Sequence, residues 1–179
     1  IAITGAGMEA DLDGNPIPLW RSVHVRAGNV LRLRGIKGAG CRAYLAVAGG
    51  FDVPDYLGSK STFSLGKFGG HAGRTLRTGD VLHVVPVSQP FTPLLTVPAS
   101  LIPTYGQQWQ IGVLYGPHAA PDFFTEDFIN TFFATDWKVH YNSNRLGIRL
   151  IGPKPTFTRL DGGEAGLHPS NIHDTEYAI

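Results

Sequence analysis

The residues best equipped for chemistry sit in separate polar stretches. Within residues 141–150, Asn142, Asn144 and Arg145 crowd between runs of alternating side chains. Arginine carries five N–H donors in a rigid fork matched to planar oxyanions, and the asparagines add donors and acceptors beside it. Ser59, Lys60 and Ser61 bring hydroxyls and an ammonium, and Gly69 and Gly70 follow with backbone that a ligand can approach closely. Together they have the makings of an anion-binding wall. Near the end, His168, Ser170, Asn171, His173 and Asp174 gather, with Glu164 upstream, and the acids among them are candidates for moving protons.

A plainer reading stands beside each of these. Asn142, Asn144 and Gly147 have turn chemistry, because Asn tolerates left-handed backbone and Gly accepts positive φ, so Arg145 could simply cap carbonyls at a hairpin tip. Ser59 to Ser61 read equally as an ordered surface loop. They do not form a Walker phosphate loop, since the spacing differs and no amphipathic helix follows Lys60. His168 and His173 are separated by Pro169 with no regular element to fix them, which argues against a metal site. Ser170, His173 and Asp174 lack the glycine-flanked elbow of a serine hydrolase.

The elements that must position these residues are mainly strands. The 23 glycines and 13 prolines in 179 residues leave few stretches long enough for a helix. Short alternating runs recur between them, the pattern of a barrel or sandwich. Strands are expected at residues 1–4 and 8–12, with a strong turn at Asp13, Gly14, Asn15 and Pro16. Residues 22–26 and 29–34 read as a hairpin turning at Gly28. Further strands are expected at 42–48, 81–87, 109–114 and 156–160, and on both sides of the Asn-rich turn. Between Phe51 and Thr78 periodicity vanishes, and a loop of that length is usually functional or mobile.

One helix is expected. Thr125 is a good N-cap, Glu126 and Asp127 suit the first turn, and Phe128, Ile129, Phe132 and Phe133 form an apolar stripe with Phe124 able to staple onto it. Prolines 90, 93, 98 and 103 mark a linker, giving a first β lobe over 1–90, a linker over 91–103 and a second, truncated lobe over 104–179.

Composition narrows the function. Fifteen Lys and Arg against fourteen Asp and Glu leave a formal net charge of +1, without the basic excess that binding nucleic acid calls for. The single cysteine, Cys41, allows no internal disulfide and fits a reducing, cytoplasmic setting; at the head of an apolar strand it is expected to be buried. No apolar run approaches the roughly 20 residues of a membrane span. The opening residues, Ile1 to Gly7, read as mid-protein sequence.

Ordered motifs carry something sharper. Arg42 to Pro54 with its Gly49-Gly50-Phe51-Asp52, then Leu57 to Phe63, Gly69-Gly70-His71-Ala72-Gly73-Arg74, Gly79-Asp80 and Asn144 to Leu150 with Gly152-Pro153 resemble the allophanate hydrolase subunit 2 family. That family comprises the A and B carboxyltransferase subdomains of urea carboxylase and the C subunit of 5-oxoprolinase. The tail from His168 to Asp174 is more similar to urea carboxylase, as found in urea amidolyase.

The resemblance implies two cyclophilin-like β-barrel lobes, and carboxyl transfer from carboxybiotin to a urea nitrogen, giving allophanate. Its alternatives are the C subunit of 5-oxoprolinase and a non-catalytic regulatory binding module. In the enzyme reading Arg145, Asn142, Asn144 and Asp174 are the catalytic candidates. Ser59, Lys60, Ser61, Gly69, Gly70, Ser170 and Asn171 are the substrate-binding ones. Biotin would arrive on a carrier domain, ATP would be used by a biotin carboxylase domain, and the C and D subdomains would be neighbours in the same polypeptide. No metal is implied. Family members begin earlier and run on further, so the segment alone is expected to be inactive.

Overall fold

The computed structural model describes residues 1–88, 94–116, 118–143 and 147–159. The chain forms two compact units, Ile1–Gln110 and Ile111–Ile179. Strands predominate, with one α-helix, and the strands described make small sheets rather than a closed barrel.

In the first unit β1 (Ala2–Gly5) pairs antiparallel with β5 (Ala43–Ala46), and β2 (Met8–Leu12) lies between β3 (Asn15–Pro16) and β4 (Leu31–Ile36). The strong turn after β2 is a two-residue loop: Asp13 and Gly14 both have positive φ, 53° and 83°, the geometry that matches strand twist in a tight hairpin. The buried apolar side chains here are Ile3, Ala6 and Ala10.

Asp11 is buried among them. Its carboxylate accepts from the Gly14 N–H at 3.0 Å and from Arg32 and Arg34, each at 3.3 Å. Burial pushes the carboxyl up, but the Gly14 bond and the two guanidinium groups outweigh it and hold the group below its ordinary value.

The expected hairpin of residues 22–26 with 29–34 does not form. Val23 exchanges hydrogen bonds with Ile1 at 2.8 and 2.9 Å, while β4 pairs with β2. The turn itself exists, closed by Asn29 N–H to the Arg26 carbonyl at 3.1 Å. Asp13 decides where the chain goes next: its carboxylate takes Asn29 Nδ2 at 2.6 Å and the Val30 N–H at 2.7 Å, steering residue 30 toward β2. From the span read as linker, Ser22 N–H bonds the Leu95 carbonyl and Val97 N–H the Trp20 carbonyl, both at 2.8 Å, so this part of it lies along residues 20–22. A short 3-10 turn, Ala99–Leu101, follows. Cys41 is exposed, contrary to expectation, because it falls in the loop before β5 rather than on its inward positions.

The second unit is organised by α1 (Glu126–Ala134). Thr125 caps it, its hydroxyl accepting from the Phe128 N–H at 3.2 Å and meeting Thr156 Oγ1 at 2.6 Å. The stripe packs: Phe124 lies 5.5 Å from Phe128 and 5.1 Å from Phe157, and Phe132 lies 5.2 Å from Trp137, ring centre to ring centre. Trp137 Nε1 donates to the Phe132 carbonyl at 2.8 Å, tying the helix to the strand pair β6 (Lys138–Val139) and β7 (Leu150–Ile151). Residues 109–114 form no strand. With no ladder partner among the described residues, their alternating side chains stay exposed, Leu114 at 97%.

Candidate functional site

The stretch from Phe51 to Thr78, which shows no period in sequence, is a chain of tight turns in the first unit, and the strand expected at 81–87 is reduced to an isolated bridge between Phe51 and Val84. A short ladder frames it: Asp52 N–H bonds the His83 carbonyl at 2.8 Å, and Val85 N–H the Gly50 carbonyl at 3.0 Å. Tyr56 and Ser59 then exchange two bonds, 2.8 and 3.1 Å, around Leu57 and Gly58, both with positive φ. Phe63 and Phe68 close the next loop with bonds of 2.9 and 3.4 Å. Phe68 packs its ring, tilted, 4.8 Å from Tyr56 and 5.2 Å from Phe63, so the turns share a small surface aromatic cluster.

Gly69, Gly70, Ala72 and Gly73 all have positive φ. A Cβ on Gly69 would strike the Ser61 carbonyl oxygen, one on Gly70 the Thr62 hydroxyl, and one on Gly73 the Lys67 carbonyl. These glycines are required by the close passage of chain against chain, and the loop they shape bounds an open cleft of about 310 Å3. Asp52 and Tyr56 line one part of the cleft, and Gly69, Gly70, His71 and Gly73 another.

Beside the cleft lies a charged relay. Arg74 forks onto Asp80 with bonds of 2.8 and 2.7 Å, the Arg77 N–H adds a third at 2.7 Å, and His71 Nε2 stands 3.7 Å from Asp80 Oδ1. The Arg74 fork, and then the Arg77 N–H, hold the Asp80 carboxyl far below the usual carboxylate range against the opposing effect of desolvation. The same bonds raise Arg74. A fork of this kind is geometrically stiff, so Asp80 presents a fixed negative charge to the imidazole.

Gly69 and Gly70 line the cleft. Ser59, Lys60 and Ser61 are exposed and lie outside its lining; Ser59 Oγ accepts from the Ser61 N–H at 3.1 Å. In the second unit Asn142 is exposed and its N–H bonds His140 Nδ1 at 3.0 Å. Ser143 bridges the hairpin, its hydroxyl donating to the His140 carbonyl at 2.7 Å and accepting from the Arg149 N–H at 3.1 Å. Asn144, Arg145, Glu164, His168, Ser170, Asn171, His173 and Asp174 lie outside the described residues.

Asp52, Tyr56, His71 and Asp80 are not picked out by side-chain chemistry in the sequence. The available signal is His71, Arg74 and Asp80 within ten residues of a glycine-rich stretch, Asp80 being its one acid from 56 to 80. Among the described residues, no group of three or more His, Cys, Asp or Glu could hold a metal ion, and no helix is long and apolar enough to cross a membrane.

Comparison with known proteins covers the whole chain. The family model described as "Carboxyltransferase domain, subdomain A and B" matches residues 1–179. The urea amidolyase of Saccharomyces cerevisiae is 50% identical over all of the chain, which spans 10% of that protein. The crystal structure of the K. lactis urea amidolyase superposes with a TM-score of 0.82 at 47% identity, covering 99% of this chain and 11% of that one. The C subunit of the Escherichia coli 5-oxoprolinase is 36% identical over 84% of the chain and 46% of its own length. The chain thus spans about a tenth of the urea amidolyases that it matches.

Proposed function

The chain belongs to the carboxyltransferase domain family, subdomains A and B, and from that premise we propose that it is part of a biotin-dependent urea carboxylase. In this reading it helps move a carboxyl group from carboxybiotin to a urea nitrogen, giving allophanate. The observation that carries the reading is the match over the full chain to a urea amidolyase at half identity. The lower identity and shorter overlap with the 5-oxoprolinase C subunit make a lactam acceptor the second reading.

The cleft, about 310 Å3, is at the low end of the size range of small-molecule sites. Carboxybiotin, carried on a domain beyond this segment and charged by an ATP-using biotin carboxylase domain, supplies the activated carboxyl group. The chain's own part is to bind and orient, because transfer between two planar groups depends on positioning and on donors aimed at developing negative charge.

In the first unit Gly69 and Gly70 offer backbone to a ligand and Ser59, Lys60 and Ser61 offer donors to anionic groups; separately, Ser170 and Asn171 are substrate-binding residues in this reading. Arg145 grips a carboxylate or ureido oxygen through its fork, Asn142 and Asn144 orient the same group, and Asp174 moves protons. In this reading the chain comprises two cyclophilin-like β-barrel lobes, 1–90 and 104–179 joined by 91–103, with the C and D subdomains in the same polypeptide, in the cytoplasm.

The test follows bicarbonate incorporation by the full-length protein with ATP, offering urea and 5-oxoproline in parallel. Urea-dependent incorporation is expected, and Arg145→Lys, which removes the fork while keeping the charge, should lower it on the order of a hundredfold. Incorporation with 5-oxoproline alone would overturn the acceptor assignment. Unchanged transfer in Arg145→Lys would take that residue out of the site.

A further inference from the structure

His71 is the titratable side chain whose setting the site roles given so far leave unexplained. It lines the 310 Å3 cleft, its side chain is 31% exposed, and its Nε2 faces the carboxylate of Asp80 at 3.7 Å. Asp80 is in turn fixed by three hydrogen bonds, two from the Arg74 fork and one from the Arg77 N–H. At 3.7 Å the contact is electrostatic and longer than a hydrogen bond, and it sets a fixed carboxylate beside the imidazole. An imidazole lining a cleft beside a buttressed acid is a setting that suits a general base.

We propose that His71 is the general base for the acceptor: it hydrogen-bonds the acceptor's N–H in the cleft and takes its proton as that nitrogen bonds the incoming carboxyl carbon. The inference rests on the carboxyltransferase reading. The acceptor's N–H bond breaks, nitrogen's electron pair forms the new N–C bond to the carboxyl carbon, the bond that held that carbon to the donor's ureido nitrogen breaks with its pair left on the ureido group, and the proton taken by His71 is returned to that anion. Nothing is oxidised or reduced. Asp80 and Arg74 are positioning residues: the fork keeps Asp80 in place, and Asp80 sets its negative charge beside the ring. The other titratable groups at the cleft are Asp52 and Tyr56. Asp52 suits a second acceptor N–H, which would leave one planar amide held between two acceptors.

The test uses the full-length protein and begins with a binding readout that needs no biotin. Diethyl pyrocarbonate should label His71 in unbiotinylated protein, read by mass spectrometry, and urea at turnover-saturating concentration should suppress that labelling while the exposed His24 labels as before. In the biotinylated enzyme, His71→Gln should lower kcat for carboxyl transfer by about 10²–10³-fold, within the range for general bases, with KM for urea changed only a few-fold.

Imidazole in solution should restore part of the activity of His71→Ala. Asp80→Asn should lower kcat less than His71→Gln, with KM for urea changed only a few-fold. ATP-dependent carboxylation of the carrier should be unchanged throughout, and His24→Gln should be silent. Unprotected labelling, or wild-type kcat in His71→Gln, overturns the inference even where urea-dependent transfer holds. Loss of activity in Asp174→Asn with none in His71→Gln returns the base role to Asp174. If the wild-type protein carboxylates no acceptor, the carboxyltransferase reading fails first.

Discussion

Gly58 and Gly73 both hold left-handed backbone, φ 74° and 63°, yet only one of them is crowded. A Cβ on Gly58 meets nothing within 4 Å, whereas one on Gly73 runs into the Lys67 carbonyl and lies 2.8 Å from the Phe68 nitrogen. Alanine at Gly58 therefore bears only the conformational cost, roughly 1–2 kcal/mol. That is partly offset by about 0.5 kcal/mol of lost freedom in the unfolded chain, for a net near 1 kcal/mol. Alanine at Gly73 adds an overpacking cost of about 2 kcal/mol, because backbone, not a flexible side-chain end, must move.

Since roughly every 1.4 kcal/mol is tenfold in an equilibrium, the two variants should separate clearly in local opening. Hydrogen exchange by mass spectrometry on the full-length protein is the assay. Gly58→Ala should lower protection in peptides covering 56–61 about fivefold, and Gly73→Ala should lower it across 56–80 on the order of a hundredfold. Gly35→Ala, with ordinary φ and open space, should stay within about twofold. Equal effects at 58 and 73 would refute the claim that chain crowding shapes the cleft loop.

Two other perturbations read the buttress and the helix. Asp80 has its carboxyl depressed in the folded state, so the stability it contributes is fully present above its ordinary value of 3.8 and is lost as pH falls from there through the lower folded value. Protection of residues 71–80 should hold down to about pH 4 in the wild type and weaken below it, while Asp80→Asn should start lower and show a flatter acid dependence; parallel curves would contradict the assignment. Thr125→Ala removes both the N-cap and the bond to Thr156, about 1–2 kcal/mol, and should lower protection of 124–134 about tenfold, with Thr125→Ser close to wild type.

Local chemistry makes some elements legible. Thr125, Glu126 and the Phe stripe announce α1 because capping, dipole and periodicity agree within a few residues of one another. Asp13-Gly14 gives its turn for the same reason. Strand partners are not legible: residues 22–26 and 29–34 carry hairpin patterning and a real turn, yet Asp13, sixteen or more positions away from the groups it binds, redirects the second strand to β2. The alternation at 109–114 suggests a strand, but no ladder partner is described for it. In the site, Gly69 and Gly70 stand out by type, whereas the His71, Asp80 and Arg74 arrangement depends on loop geometry that left-handed residues create without any period. Cys41 is misplaced by a strand boundary only a residue or two off.

The grip of Arg32 and Arg34 on Asp11 has a consequence for how the first unit assembles. In the native pairing Asp11 faces Arg32 directly, and Arg34, two residues on, reaches the same carboxylate. If β4 slipped by one residue, Leu33 would stand opposite Asp11 and both guanidinium groups would turn to the far side of the sheet. A buried carboxylate would then face aliphatic carbon with no countercharge, an arrangement far more costly than a lost apolar contact. The ion cluster thus acts as a frame check on translation of one strand past the other. It rejects the one-residue shift of the Leu-Arg-Leu-Arg run of residues 31–34, which sets a leucine opposite the carboxylate.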